Sequence, residues 1–187
     1  IVKDGGTIAN PIEKFIPKSG EIAGAIEVQD SIGSYINQLD KMAKGLALSV
    51  NAIHSGSMDS NIKDTTKTLD FFVASDGKDE AGISAKNISI NALILENPSL
   101  INTKENADAG EGDGSRALAI AQLQSTLISI SKIDSTTTRA QLCKFTNGST
   151  MSLVNDVASG TKVESYFQDV VDKLGVEAQH AKRVVSN

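Results

Sequence analysis

The 187-residue sequence has one cysteine, no tryptophan and three prolines. A single thiol, Cys143, cannot close an internal disulfide, so packing and hydrogen bonds must hold the fold. In "RAQLCKF" it reads as a small packing residue, not a nucleophile. Aromatic residues make up 4% of the chain and hydrophobic residues 40%, which favours thin helical packing through Leu, Ile, Val and Ala. The net charge is −5, and no Lys/Arg stripe forms. Nothing here marks a nucleic-acid or anionic-membrane surface. No apolar run approaches the roughly 20 residues of a membrane span, and no signal-peptide pattern is visible.

The motifs of metal and covalent chemistry are missing too. HExxH, CxxC and GxSxG do not occur. "GEGDGS" (Gly110–Ser115) enters a helix, but Glu111 and Asp113 repel phosphate and no Gly-Lys-Ser/Thr follows, so it reads as a turn and helix cap. The acidic loops around Asn106 and Asp76 fail the EF-hand pattern, with Glu111 at the turn-glycine position of the first and Lys78 at a ligand position of the second. Asn147-Gly148-Ser149 matches a glycosylation sequon, a weak signal. Of the two histidines, His180 reads as solvated surface. His54 lies at a helix C-terminus, where the macrodipole favours a cation, and is expected to act structurally. The expected enzyme chemistry is none: no catalytic, cofactor or metal residues are assigned.

What is present is a seam. Ile32, Ile36, Leu39, Ala43, Leu46, Val50 and Ile53 step alternately by four and three, the narrow stripe of a helix that packs on another helix. A helix over about 31–54 follows, about 36 Å long at 1.5 Å per residue. Within it, Gly45 is expected to mark close approach of another backbone. A second helix is expected over about 115–131, with Ile120, Leu123, Leu127 and Ile130 as its stripe and Asp113 or Ser115 as its cap. A third, about 162–186, opens with the capping box Thr161–Glu164 and carries Val163, Phe167, Val170, Leu174, Ala178, Ala181 and Val185.

Between the helices the period changes. Ile22, Gly24, Ile26 and Val28 share parity and predict a strand near 21–29; "FFVAS" and "NISIN" predict strands near 71–75 and 87–91. Asn97 before Pro98 predicts a short capped helical turn. Residues 1–20 read as a linker or the end of an outer domain, 21–187 as a helical-bundle domain, and 132–160 as an irregular insertion within it. The fold class is mainly α with a small β part (α+β), long helices with a few short strands. With an apolar pattern running to its last residues, the chain reads as a piece of a longer protein.

Several segments, in order, resemble a known family. "GEIAGAIEVQDSIGSYINQLDKMAKGLALSVNAIHSGS" is similar to the return segment of the flagellar hook-associated protein 1 family, the first hook–filament junction proteins. The shared positions are Gly20, Gly24, Asp30, Tyr35, Ile36, Asn37, Gln38, Leu39, Asp40, Val50, Asn51 and His54, with Gln29 where the family has arginine. "DFFV" (70–73), "ISINALILENPSLI", "GDGSRALAIAQLQ" and "YFQDVVDKLGVEAQHAK" resemble later family segments. The resemblance implies a non-catalytic structural protein, exported by the flagellar type III apparatus to the extracellular flagellum. It implies a homo-oligomeric ring between hook protein and a second junction protein, an export chaperone bound through terminal regions, and no nucleic acid or membrane insertion. The seams would then be assembly surfaces. The alternatives are another flagellar axial protein, a helical adhesin-type binding module, or an enzyme whose site lies near Cys143 in 132–160.

Overall fold

A computed structural model describes residues 19–55, 69–77, 80–105, 108–142, 144–145, 153–154 and 160–186. The expected linker 1–20 lies almost wholly outside them, as do Cys143 and the Asn147–Ser149 sequon. The fold is mainly α with a small β part. The long helices are α1 (Glu21–His54) and α5 (Val163–Ser186); α2 (Ala92–Glu96), α3 (Ser115–Gln122) and α4 (Arg139–Leu142) are short. β1 (Phe72–Ala74) pairs antiparallel with β2 (Ile88–Ile90), and β3 (Lys144–Phe145) with β4 (Leu153–Val154). The chain divides into two compact units, one ending at Ser34 and the other beginning at Tyr35.

The first unit corrects the expected strand near 21–29. Those residues open α1, which runs unbroken for 34 residues, about 51 Å. Alternation specifies a strand only where a neighbouring strand buries one face. Here Ile22 and Val28 are 68% and 60% exposed, so the shared parity marks no buried face. No proline interrupts the helix, and Ile22–Ile26 also fits a helical i,i+4 step.

In the second unit the core gathers on the last turns of α1. Leu48 and Ala52 pack with Ile128, Ile130, Ile133 and Leu142, with Met42, Val163 and Tyr166 at the margin. Val50 and Ile53 pack on Ala119 and Leu123, and Ala47 packs on Ala74 and Ile83. Three clusters thus surround one helix end, which is why Ala43 through His54 is buried at every position except the half-buried Leu46.

The expected helix over 115–131 stops early. α3 ends at Gln122 and tightens into a 3₁₀ turn, Leu123–Ser125. The hydroxyls of Ser125 and Thr126 both donate to the Gln122 carbonyl, at 3.0 and 2.9 Å, offering that acceptor local donors in place of a continuing helix. Ile128 then exchanges two backbone hydrogen bonds with Thr161, each 2.9 Å. Leu123 and Ile130 therefore enter different clusters, although their spacing suggests one stripe. Thr161, expected as a capping residue, joins this bridge two positions before α5 begins.

Two other expectations meet more specific outcomes. The neighbour at Gly45 is a side chain: a Cβ there would lie 2.8 Å from Ile133 Cδ1. The described part of the 132–160 segment supplies Ile133 and Leu142 to the main core. Asn97 does cap the turn Pro98–Leu100, its side chain accepting from the Ser99 amide at 3.2 Å.

Candidate functional site

A helix C-terminus leaves its last carbonyls without intrahelical donors, and burial makes each an obligation. At the end of α1, side chains from elsewhere in the chain meet these obligations. Arg116, 3% exposed, reaches in from α3 and donates through Nη1 to the Ile53 carbonyl. Its Nε and Nη2 donate to the carbonyls of Lys104 and Glu105, at 2.6 and 2.9 Å. Asn102 Nδ2 donates to the His54 carbonyl at 3.1 Å. The Asn51 carbonyl accepts from the Ser55 amide and hydroxyl, each 2.9 Å, and from Arg139 Nη1 at 3.5 Å.

The polar side chains of the helix end are equally engaged. Asn51, fully buried, pairs with the backbone of Phe72 as another strand would: its Oδ1 accepts from the Phe72 amide and its Nδ2 donates to the Phe72 carbonyl, both at 2.8 Å. Nδ2 also donates to Glu80 Oε1 at 2.9 Å. Arg139 then joins two carboxylates. Its Nε donates to both oxygens of Glu80, at 2.5 and 2.7 Å, and its Nη2 to Asp70 Oδ1. Ser55 adds a 2.7 Å hydrogen bond to the same Asp70 oxygen. On the other face, Lys44 Nζ donates to the carbonyls of Ala81, Asp134 and Ser135 within 3.0 Å.

His54 requires a correction. It was expected as a cation favoured by the helix end, yet its side chain is fully buried between Leu69 and Asn102. Burial is the largest influence on its pKa and lowers it below 6.5; the nearby Arg116 lowers it further, against the Leu69 hydrogen bond and Asp70. The cation that complements the macrodipole is Arg116, whose guanidinium meets the Ile53 carbonyl directly. The loop before α3 follows the same logic. Asp113 Oδ1 accepts from the amide and hydroxyl of Ser115 while Oδ2 accepts from the Glu105 amide, and these bonds, the Ser115 hydroxyl first, hold its carboxyl below the usual range. A carboxylate thus stands where a phosphate cradle would need an anion's oxygen.

Sequence reasoning singled out Asn51, His54, Asp70 and Phe72 by pattern, and the structure brings them to one place. It missed Arg116, Arg139, Glu80 and Asn102. Arg116 had a signal: it is the lone charge in "SRALAIAQL". The seam divides. Ala43, Val50 and Ile53 are buried, Leu39 and Leu46 half-buried, and Ile32 and Ile36 54% and 55% exposed. On α5, Val170 is buried while Phe167, Leu174, Ala178 and Ala181 are exposed, as is His180.

Residues 2–72 match the family model described as the flagellar hook-associated protein FlgK helical domain. Over this stretch the chain is similar to that helical domain. The match ends at Phe72, so α1 and its partners Asp70 and Phe72 fall inside the FlgK helical-domain stretch, while Glu80, Asn102, Arg116 and Arg139 lie beyond it. No curated protein and no solved structure matches the chain. The similarity supports a flagellar, hook-associated structural protein. Among the described residues no group of His, Cys, Asp or Glu could hold a metal ion, and no helix is long and apolar enough to cross a membrane.

Proposed function

We propose that the chain is a structural, non-catalytic segment of the junction between flagellar hook and filament. The observation that carries this reading is the FlgK helical-domain match over 2–72, whose polar residues Asn51, His54 and Asp70 all serve packing bonds. A chemical site needs a polar group presented to a substrate; these groups are committed to backbone and to each other. In this reading the protein is exported by the flagellar type III apparatus, with a chaperone engaging its terminal regions. It forms a ring of copies outside the cell, between hook protein and a second junction protein. The uncovered seam positions Ile32, Ile36, Phe167, Leu174, Ala178 and Ala181 contribute to helix packing in that ring.

Electron microscopy of cells lacking the full-length protein tests the assignment. Hooks without filaments are expected, restored by the wild-type gene. Normal filaments in the deletion strain would overturn the junction role.

A further inference from the structure

We propose that His54 is an acid-sensitive latch, holding the backbone at Leu69 and at Asn102 to the end of α1. The imidazole joins two stretches distant in sequence: Nδ1 lies 2.8 Å from the Leu69 carbonyl, and the Asn102 amide donates to Nε2 at 2.9 Å. A backbone amide can only donate, so Nε2 is the bare nitrogen and Nδ1 carries the hydrogen. The site accepts the neutral ring in one tautomer. A proton at Nε2 would turn that acceptor into a donor aimed at the Asn102 N–H.

The surroundings do not accommodate the new charge. The side chain is 0% exposed, so water cannot solvate it. Among the described residues, two charged groups face it. Arg116, from α3, already brings one positive charge to this helix end. Asp70, from the segment before β1, is attractive, but its Oδ1 is held by Arg139 and Ser55. The Phe71 ring, 5.5 Å from the imidazole and tilted by 63°, adds no charge, and Asn102 Nδ2 is spent on the His54 carbonyl. Acid therefore loosens this junction where Leu69, Asn102 and Arg116 converge.

The direction in pH follows from burial. The unfolded chain takes up the proton near the ordinary value of about 6.5, and the folded chain only at lower pH. The contribution of His54 is complete above the unfolded value and is lost as pH falls below it toward the folded one. Within that window one proton separates the two states, so the folded-to-unfolded ratio falls by up to about tenfold per pH unit.

The test follows the histidine ring nitrogens of the full chain by NMR from pH 8 to 5, with urea unfolding over the same range for wild type, His54→Gln and His180→Gln. At pH 7 His54 should be neutral with its hydrogen on Nδ1. The wild type and His180→Gln should lose the folded ratio below pH 6.5 more steeply than His54→Gln, by up to tenfold per unit. A hydrogen on Nε2 at pH 7, or equal pH slopes in wild type and His54→Gln, would overturn the latch. Should His54→Gln not fold, the Asn102 amide of the wild type decides. Its hydrogen-exchange protection, corrected for intrinsic rate, should fall with acid more than that of α1 interior amides; equal behaviour down to pH 5 contradicts the proposal.

Discussion

The last turns of α1 and the length of α5 carry the same kind of narrow apolar seam, yet one is buried on every side and the other is largely bare. From Ala43 to His54 α1 holds a single charged residue, Lys44, and that ammonium is satisfied by three carbonyls. Along α5 the seam is flanked by Glu164, Asp169, Asp172, Lys173, Glu177, Lys182 and Arg183, and among its described side chains only Val170 is buried. The seam alone does not predict burial. The flanks do: small and uncharged residues such as Gly45, Ala47, Ser49 and Ala52 let short elements close over α1, whereas charged flanks keep most of α5 in water. The same difference separates the polar residues. At the end of α1 they include Asn51 and His54, each buried with fixed partners; in α5 most are charged and exposed.

Substitutions can break this comparison, beginning where it is strongest. Leu48→Asp would bury an unpaired carboxylate at a site 1% exposed. A loss above about 4 kcal/mol is expected, with no cooperative thermal transition by circular dichroism. Retention of the wild-type melting curve would mean that the three clusters do not close on α1. Next in size is Asn51→Leu, which keeps the volume but strands the Phe72 amide and carbonyl. Urea unfolding should show a cost of about 2–6 kcal/mol, from two groups at about 1–3 kcal/mol each. Gly33→Ala should act in the opposite direction. A Cβ there meets nothing within 4 Å, so helix propensity should add about 1 kcal/mol, read as increased helicity. The smallest effect is expected from Leu174→Asp, at a site 52% exposed on α5: within about 0.5 kcal/mol of wild type. A large loss there would show that α5 is covered after all.

Much of the fold was legible locally. α5, the strands near 72 and 89 and the Asn97–Pro98 cap each follow from a pattern contained within a few residues. Failures arose where the deciding partner lay far along the chain. The alternation of Ile22 to Val28 fits strand and helix equally, and the structure places it in α1. The stripe through Leu127 and Ile130 looked helical because the backbone pairing of Ile128 with Thr161 is invisible in either segment alone. The junction at the end of α1 was half readable. Asn51, His54 and Asp70 stood out through the family pattern, but their chemistry did not. A histidine at a helix end is favoured as a cation on local grounds. Here burial first, and then Arg116, remote in sequence, which takes that place, lower the pKa of His54. Arg139 was hidden for the same reason: its two carboxylates and Ser55 come from segments more than fifty positions earlier.

Native-state hydrogen exchange resolved by residue compares the two helices within one molecule. Amides from Ala47 to Ile53 should exchange only through global unfolding, with the same free energy as urea denaturation gives, while α5 amides beyond Val170 should open several kcal/mol more easily. Equal protection along both helices would contradict the account, because it would require α5 to be as fully covered as the end of α1.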